Sequence, residues 1–508
     1  MSVSKDNATI AKNTIIVYIR LIVTAVVGLI SSRYVLQILG ASDFGLYSVI
    51  GGVIAMFTFI SGSLQSTTVR FINYELGKAS GDLNKVFNIA RQIHIVFAFV
   101  ILLVAEIVGV YYIQNYLNVE SGKTPDAFFV FHVSIIVACL GIVNVPYQGL
   151  MVAHEKFSHV ACIEIFCAIC KLLLIVGLIY LPTNALRAYA AGMSLLTLLS
   201  FAIYLLLCRK YWPSIVKYKL VKRQKQHKEM LIFNNYTLLS TISLMGRNQG
   251  SNLLINFFYG TIVNAAYAIS NTVHVYVNTF AGSFDQASAP QITQNISKGN
   301  HERALYLVNH TCRICILLVE IVYFILIADI DYVLYLWLGT NVPAGTAEFC
   351  RLTLLLAVVS ATSGGLAQYI KGIGRIKWFT ICMTLLYMMG LGVAIIIYKN
   401  NGSPYSIVVI FIVADLLTRC SQLLLLKRIT NFPIRAFLSE AYFRPALVFI
   451  IGYGVVAVYQ WIAPEQAIGR IAGISGVGII LGIAAFRIGL YEVERTKIIS
   501  NIANKIKK

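Results

Sequence analysis

Residues 245–252 read Met245-Gly246-Arg247-Asn248-Gln249-Gly250-Ser251-Asn252. An apolar run then leads through Tyr259-Gly260 into a second long apolar run that ends near Pro290. The second run is interrupted at Asn264, Tyr267, Asn271, His274, Asn278 and Asp285, in steps of 3, 4, 3, 4 and 7 residues. At helical periodicity these positions make one polar stripe on an otherwise apolar cylinder. Lipid cannot satisfy such a stripe, so it must face protein or water. It is either hydrogen-bonding glue between helices or the wall of an aqueous cavity. Arg247 in the preceding helix favours the cavity, because an arginine at membrane depth needs water or a counter-charge.

The rest of the chain has the same texture. Of its 508 residues, 58% are hydrophobic and only 12% charged, with a mean hydropathy of +0.76. A soluble chain of this length is not so apolar, nor are its apolar residues gathered in blocks of about 20. The expected fold is therefore an all-α polytopic membrane protein. The first block, from Thr14, is too long for a signal-peptide core and no small-residue cleavage site follows it, so it is read as a retained span. Fourteen blocks are candidate spans. The first six are residues 14–39, 44–68, 87–112, 127–153, 157–180 and 188–208. The next six are 233–258, 263–284, 304–328, 349–370, 378–398 and 407–426, and the last two are 446–462 and 471–486. Residues 332–338 are apolar but too short to span.

The formal net charge is +20. In a soluble protein that would point to nucleic acid. Here most of the 41 Lys and Arg residues lie in alternate loops, where they set topology and meet anionic membrane lipids. No nucleic-acid partner is expected. The basic side is the cytoplasmic one, and an even number of spans puts both termini there. Trp337, Trp378 and Trp461 fall at span ends or in an adjoining loop, as an aromatic belt requires. The most basic loop, 209–228, carries Lys217, Lys219, Lys222, Arg223 and Lys225 and divides the chain into two six-span halves. Gly40 matches Gly260, Tyr47 matches Tyr267, Gln65 matches Gln286 and Gly77 matches Gly299, at offsets of 220 to 222. Six spans per half make this a parallel repeat. The expected organisation is a lobe at 1–215, a second at 216–430, and two further spans with a basic tail at 431–508.

Several polar residues lie within or beside the spans. The first span carries Arg20, Thr24 and Ser31 along one face, with Arg33 near its outer end. Arg20 is roughly 10 Å deep. It is always charged and needs a partner, which makes it either an ion-pair member or an anion ligand. The second span has a small-residue face, Gly45, Ser48, Gly52, Ala55, Gly62 and Ser66, suited to close helix packing. Arg70 at its cytoplasmic end serves topology or touches phosphate. The membrane acids are Glu106, Glu164, Asp285, Glu320 and Asp415. Asp415 is expected to pair with Arg419 one turn on. Glu106, Glu164 and Asp285, with His274, are candidates for proton or ion coupling. The ten cysteines read as small apolar packing residues, the Cys167/Cys170 spacing included. No phosphate-binding Gly-rich loop is present, and no metal-ligand spacing, so neither an ATPase nor a cofactor or metal is expected.

Some runs carry a resemblance. They are Asn13-Thr14 through Arg20, Ser32-Arg33, Leu39-Gly40, Asp43-Phe44-Gly45-Leu46-Tyr47, and Arg70-Phe71 to Glu75-Leu76-Gly77-Lys78. Val145-Pro146-Tyr147, Ala153-His154-Glu155-Lys156, and Asn248-Gln249-Gly250 through Asn264-Ala265-Ala266 belong with them. Together they resemble bacterial O-antigen and capsule-type polysaccharide flippases of the multidrug/oligosaccharidyl-lipid/polysaccharide exporter superfamily. The resemblance covers the first twelve spans. It implies two six-helix lobes around a central cavity, working by alternating access in the plasma membrane and not as an enzyme. It implies a lipid-linked oligosaccharide as cargo, and other polysaccharide-assembly membrane proteins as candidate partners. Arg20 and Arg247 would bind the diphosphate, with Arg33 and Arg70 at the outer and inner mouths. Asn248, Asn252, Asn271 and Asn278 would meet the sugars. Relatives often have Arg where this chain has Tyr267, which shifts the anion site towards Arg20 and Arg247. The alternatives are a cation-coupled drug antiporter of the same superfamily, which would want an acidic cavity, and a polytopic polysaccharide polymerase or ligase, which would want a large outer loop.

Overall fold

The structure is a computed structural model of the chain. It describes residues 2–115, 122–180, 184–222, 224–340, 342–462, 466–492 and 494–496, without the side chains of 2–12, of 261 and of part of 25–59. Among the described residues all regular structure is helical. The first half comprises α1 (Ser2–Gly77), α2 (Leu83–Asn115), α3 (Thr124–Ala153), α4 (Phe157–Leu178), α5 (Ala185–Tyr211) and the short turn α6 (Pro213–Val216). It is followed by α7 (Lys225–Ser297), α8 (His301–Ala328), α9 (Ile330–Leu338), α10 (Thr346–Ala361), α11 (Leu366–Ile373), α12 (Lys377–Lys399) and α13 (Ser406–Thr430). The last elements are α14 (Ile434–Phe437), α15 (Phe443–Ile462) and α16 (Ala467–Ala484), with π-helical turns at Leu438–Tyr442 and Ala485–Gly489.

Two helices are far longer than a membrane is thick. Laid straight, the 76 residues of α1 would measure about 114 Å. Contacts within the chain show that α1 doubles back instead. Arg20 reaches Glu164, and Thr68 lies 3.2 Å from where a Cβ on Gly149 would stand. Gly149 lies near the end of α3, and Glu164 in the half of α4 that follows it directly. Between them, Asp43 pairs with Lys123 at the opposite end of α3. α7 has its own break, Gly260 at φ 81°, ψ −175°, a conformation essentially confined to glycine. Phe233 near the start of α7 packs edge-on against Phe71, centroids 5.9 Å apart. Ser297 at its end donates its hydroxyl to Tyr74 O. Both ends of α7 thus meet the same stretch of α1, and the chain turns at Gly260, where the sequence places a short glycine turn. Gly40, its partner in the repeat, has no described surroundings, and nor do most members of the small-residue face.

Among the described residues nine helices are long and apolar enough to cross a membrane, ten when α10 and α11, bent by 44° at their junction, are taken together as one span. With two spans from each of α1 and α7, the count agrees with the fourteen apolar blocks. The segment too short to span is α9, nine residues long.

The chain forms two compact units. The first is Met1–Thr241 with Thr293–Gly299, and the second is Ile242–Ile292 with Asn300–Lys508. The core of the first is built from α1, α2, α3, α4 and α5 around Leu46, Ile50, Val130, Phe131 and Tyr189. In the second, Ile255, Phe349, Tyr387, Ala394 and Phe411 join α7, α10, α12 and α13. Leu317, Val448, Ala485 and Leu490 join α8 to the C-terminal helix pair. Apolar side chains also point outward, among them Ile107, Leu173, Phe257 and Trp461, as helices bathed in hydrocarbon require.

Candidate functional site

In the first unit the polar centre is Arg20. Its Nη1 donates to Glu164 Oε1 at 3.1 Å, joining α1 to α4. Both side chains are partly exposed, 20% and 43%. A guanidinium has five N–H donors, and this bond uses one. Thr24, one turn on, returns its hydroxyl to Arg20 O at 2.8 Å. Lys171 lies two turns beyond Glu164 on the same helix, half-buried. Tyr204 on α5 is fully buried with its hydroxyl unsatisfied, within electrostatic reach of the Arg20–Glu164 pair. Among the described residues the Tyr204 hydroxyl has no partner.

The other candidates of this unit lie apart from the seam. Glu106 on α2 pairs with His132 on α3 at 3.0 Å, partly exposed. Arg70 lies over three rings, Phe71 at 4.5 Å, Tyr74 at 4.9 Å and Phe233 at 5.2 Å, an aromatic cradle for a cation. The side chain of Arg33 lies outside the described residues. Buried Asn234, which the sequence reading passed over, takes the hydroxyl of Ser63 at 3.1 Å and so joins the start of α7 to α1. The adjacent amides Asn234-Asn235 at the start of an apolar run were the available signal.

In the second unit Arg247 is enclosed. Only 7% exposed, it reaches Asp415 Oδ1 at 3.4 Å through Nη1 and Asn248 Oδ1 at 3.3 Å through Nε. Its guanidinium lies 5.1 Å from the Tyr387 ring centre and 5.7 Å from that of Phe411. Asp415 also accepts from Tyr387 at 2.6 Å and Ser360 at 2.7 Å. This corrects the expected local pair: Asp415 bonds across helices to Arg247, while Arg419 donates to Gln422. Asn252 turns back to Asn248 O at 3.3 Å.

The polar stripe faces α10 and α11 over much of its length. His274 Nδ1 lies 2.8 Å from Thr353 O, and its Nε2 lies 2.9 Å from Asn278 Nδ2. Asp285 takes the Gly365 N–H and the Gln368 amide, both at 2.7 Å. Tyr267 is buried edge-on against Phe349, centroids 5.6 Å apart. Asn271 is half-buried. Here the stripe acts as hydrogen-bonding glue within the unit. Among the described residues no group of three or more His, Cys, Asp or Glu could hold a metal ion.

Solved structures share this fold, and three of them illustrate it. An outward-facing multidrug resistance MATE family transporter of the MOP superfamily matches with a TM-score of 0.69 at 12% identity, over 90% of this chain and 97% of that one. A MOP superfamily transporter from Pyrococcus furiosus matches with 0.67 at 13%, over 90% and 97%. A MATE transporter in its bent conformation matches with 0.70 at 13%, over 90% and 96%. At such identities the likeness is one of fold, and it makes the chain a multi-pass membrane protein with the architecture of MOP-superfamily transporters. Residues 10–296 match the family described as polysaccharide biosynthesis protein. That is more than half of the 508 residues, and the chain belongs to this family. No curated protein matches it.

Proposed function

We propose that this protein is a flippase that moves a polyprenyl-pyrophosphate-linked oligosaccharide across the bacterial plasma membrane by alternating access, for surface polysaccharide such as O-antigen or capsule. The observation that carries the reading is membership of a polysaccharide biosynthesis family in a chain with a transporter fold. The protein's work is to lower the cost of taking a charged, hydrated headgroup through hydrocarbon. The two six-span lobes are the moving bodies, and both termini and the 209–228 loop are cytoplasmic.

The diphosphate binds at Arg20, whose remaining donors are available beside Glu164, with Lys171 adding charge along the same seam. An arginine fork matches phosphate oxygens in a way a point charge does not. Arg33 and Arg70 attend the two mouths. Asn248, Asn252, Asn271 and Asn278 supply amides to sugars when the bodies move. Arg247 holds its helix in place rather than the cargo, because its charge is already answered by Asp415.

The test is flipping of a fluorescent lipid-linked oligosaccharide in liposomes containing the purified protein. Wild-type protein is expected to expose the glycan on the opposite leaflet. Arg20→Lys lowers the rate about tenfold at constant protein content, and Arg20→Ala lowers it further. Drug efflux without glycan flipping would favour the antiporter and overturn the proposal. Unchanged flipping in Arg20→Ala would remove the anion site from this seam.

A further inference from the structure

Five acids lie at membrane depth, and four of them are answered. Glu106 has His132, Glu164 has Arg20, Asp285 has a backbone amide and Gln368, and Asp415 has Arg247, Tyr387 and Ser360. Glu320 differs. It is 2% exposed, and its Oε2 meets no donor. Among the described residues no cation lies within ion-pair range of its carboxyl.

Its position on α8 is specific. Glu320 is about 28 Å along the helix from His301 and about 12 Å short of Ala328. Leu317 and Phe324 flank it, one turn away on either side, and share its face. Leu317 belongs to the cluster with Val448, Ala485 and Leu490. Phe324 fills the space at Gly452, where a Cβ would stand 2.2 Å from the ring. Glu320 therefore points into the seam between α8 and the C-terminal helix pair, where the twelve-span repeat meets the two further spans.

The charged and titratable groups on the packed elements are otherwise engaged or remote. On α8, Arg313 donates to Glu440 O at 2.6 Å and pairs with Glu494, and His310 lies 3.5 Å from the same Glu494. Tyr323 is hydrogen-bonded to Tyr453 of α15 at 2.8 Å. Arg444, at the start of α15, donates to Ile488 O and Leu490 O. Tyr459, near its far end, donates to Asp329 at 3.1 Å, where Arg470, the one charged residue of α16, also pairs. The π-helical turns bring Glu440, Tyr442 and Arg487, near the cytoplasmic end. α10 brings Glu348, Cys350 and Arg351 at its first turns, α9 brings Asp331, Tyr332 and Tyr335, and α11 brings Tyr369 and Lys371.

We propose that Glu320 is a cation site, taking a proton or one small monovalent ion, built where α8 meets the C-terminal helix pair. A bare carboxylate in an apolar seam is costly, and a bound cation removes the cost. Loading the site lets α8 lie close against α15 and α16, and unloading it pushes the seam apart or draws in water. The site thus couples an ion to helix packing, and it does not depend on which cargo the protein carries.

The experiment uses full-length protein in lipid nanodiscs and infrared difference spectra between about pH 5 and about pH 9, with sodium or potassium as the salt. Wild-type protein is expected to show a carboxylic C=O band that grows as pH falls and is absent in Glu320→Gln. A band that sodium suppresses at constant pH identifies a metal-cation site, and a band indifferent to salt identifies a proton site. Identical spectra for wild type and Glu320→Gln, in both salts, overturn the proposal. If the Gln variant does not fold, Glu320→Asp replaces it. That variant must move the band to a different frequency, and an unmoved band assigns the titration to another acid and overturns the proposal equally.

Discussion

Arg247 and Arg20 show how differently two intramembrane arginines are held. Arg247 is buried with Asp415, between the Tyr387 and Phe411 rings. Removing one member of such a pair leaves an uncompensated charge and costs about 3–5 kcal/mol. Arg247→Ala and Asp415→Asn are therefore expected to lower the amount of folded protein in the membrane, read by detergent extraction and size exclusion. A paired apolar replacement, Arg247→Met with Asp415→Leu, should recover much of it, since an apolar pair of similar volume avoids the desolvation cost. Normal abundance of Arg247→Ala with export per molecule abolished would return Arg247 to the anion site. The Arg20–Glu164 pair is partly exposed. Their depth was legible in the sequence, because an arginine within an apolar run stands out. Their partners were not. Glu164 and Asp415 lie 144 and 168 residues away, and helical spacing favoured the local Asp415–Arg419 pair.

At the scale of elements, the break between α10 and α11 explains Asp285. A helix start exposes N–H groups, and α11 begins inside a stretch apolar enough to span. Asp285 answers the Gly365 N–H at that helix start. Gly365 has φ +70°, and a Cβ there would stand 2.7 Å from Val308 O, so the break needs glycine. The end of α3 offers a test by pH. His154, just beyond the span, lies against Trp212, centroids 4.3 Å apart. Burial holds its imidazolium below the usual range, the bond to Leu150 O opposes this, and Lys156 pushes it lower again. The unfolded chain takes up this proton near pH 6.5 while the folded chain resists it. Below that pH the unfolded state binds more protons, so stability falls as pH falls through about 6.5 towards the lower folded value. His154→Gln should flatten that part of the melting-temperature profile. Parallel profiles for wild type and variant would remove His154 as the cause.

At the scale of the molecule, loops of like charge lie together within the first unit. Asn84 at the start of α2 donates to the Ser214, Ile215 and Lys217 carbonyls, each at 2.9 Å, which ties the first basic loop to the 209–228 loop. On the lysine-poor side, Asp43 pairs with Lys123 and Asp126 with Arg187. Short, basic loops remain cytoplasmic. A reporter active only in the cytoplasm should therefore work when inserted in 209–228 and when fused after Lys508. Activity of a periplasm-only reporter at either place would invert the topology.

By itself the sequence determined the all-helical membrane class and the number of spans, because hydrocarbon demands about 20 apolar residues per crossing wherever the helix packs. It also marked the turn at Gly260 and the polar stripe, since both are local in the chain. Only the tertiary structure decided what the stripe faces, which acid answers which arginine, and that Glu320 Oε2 is left without a donor among the described residues. Those depend on which helices become neighbours. Neighbours are chosen by packing between separate segments, 79 residues apart for His274 and Thr353 and 168 for Arg247 and Asp415, and no periodicity within one segment records that choice.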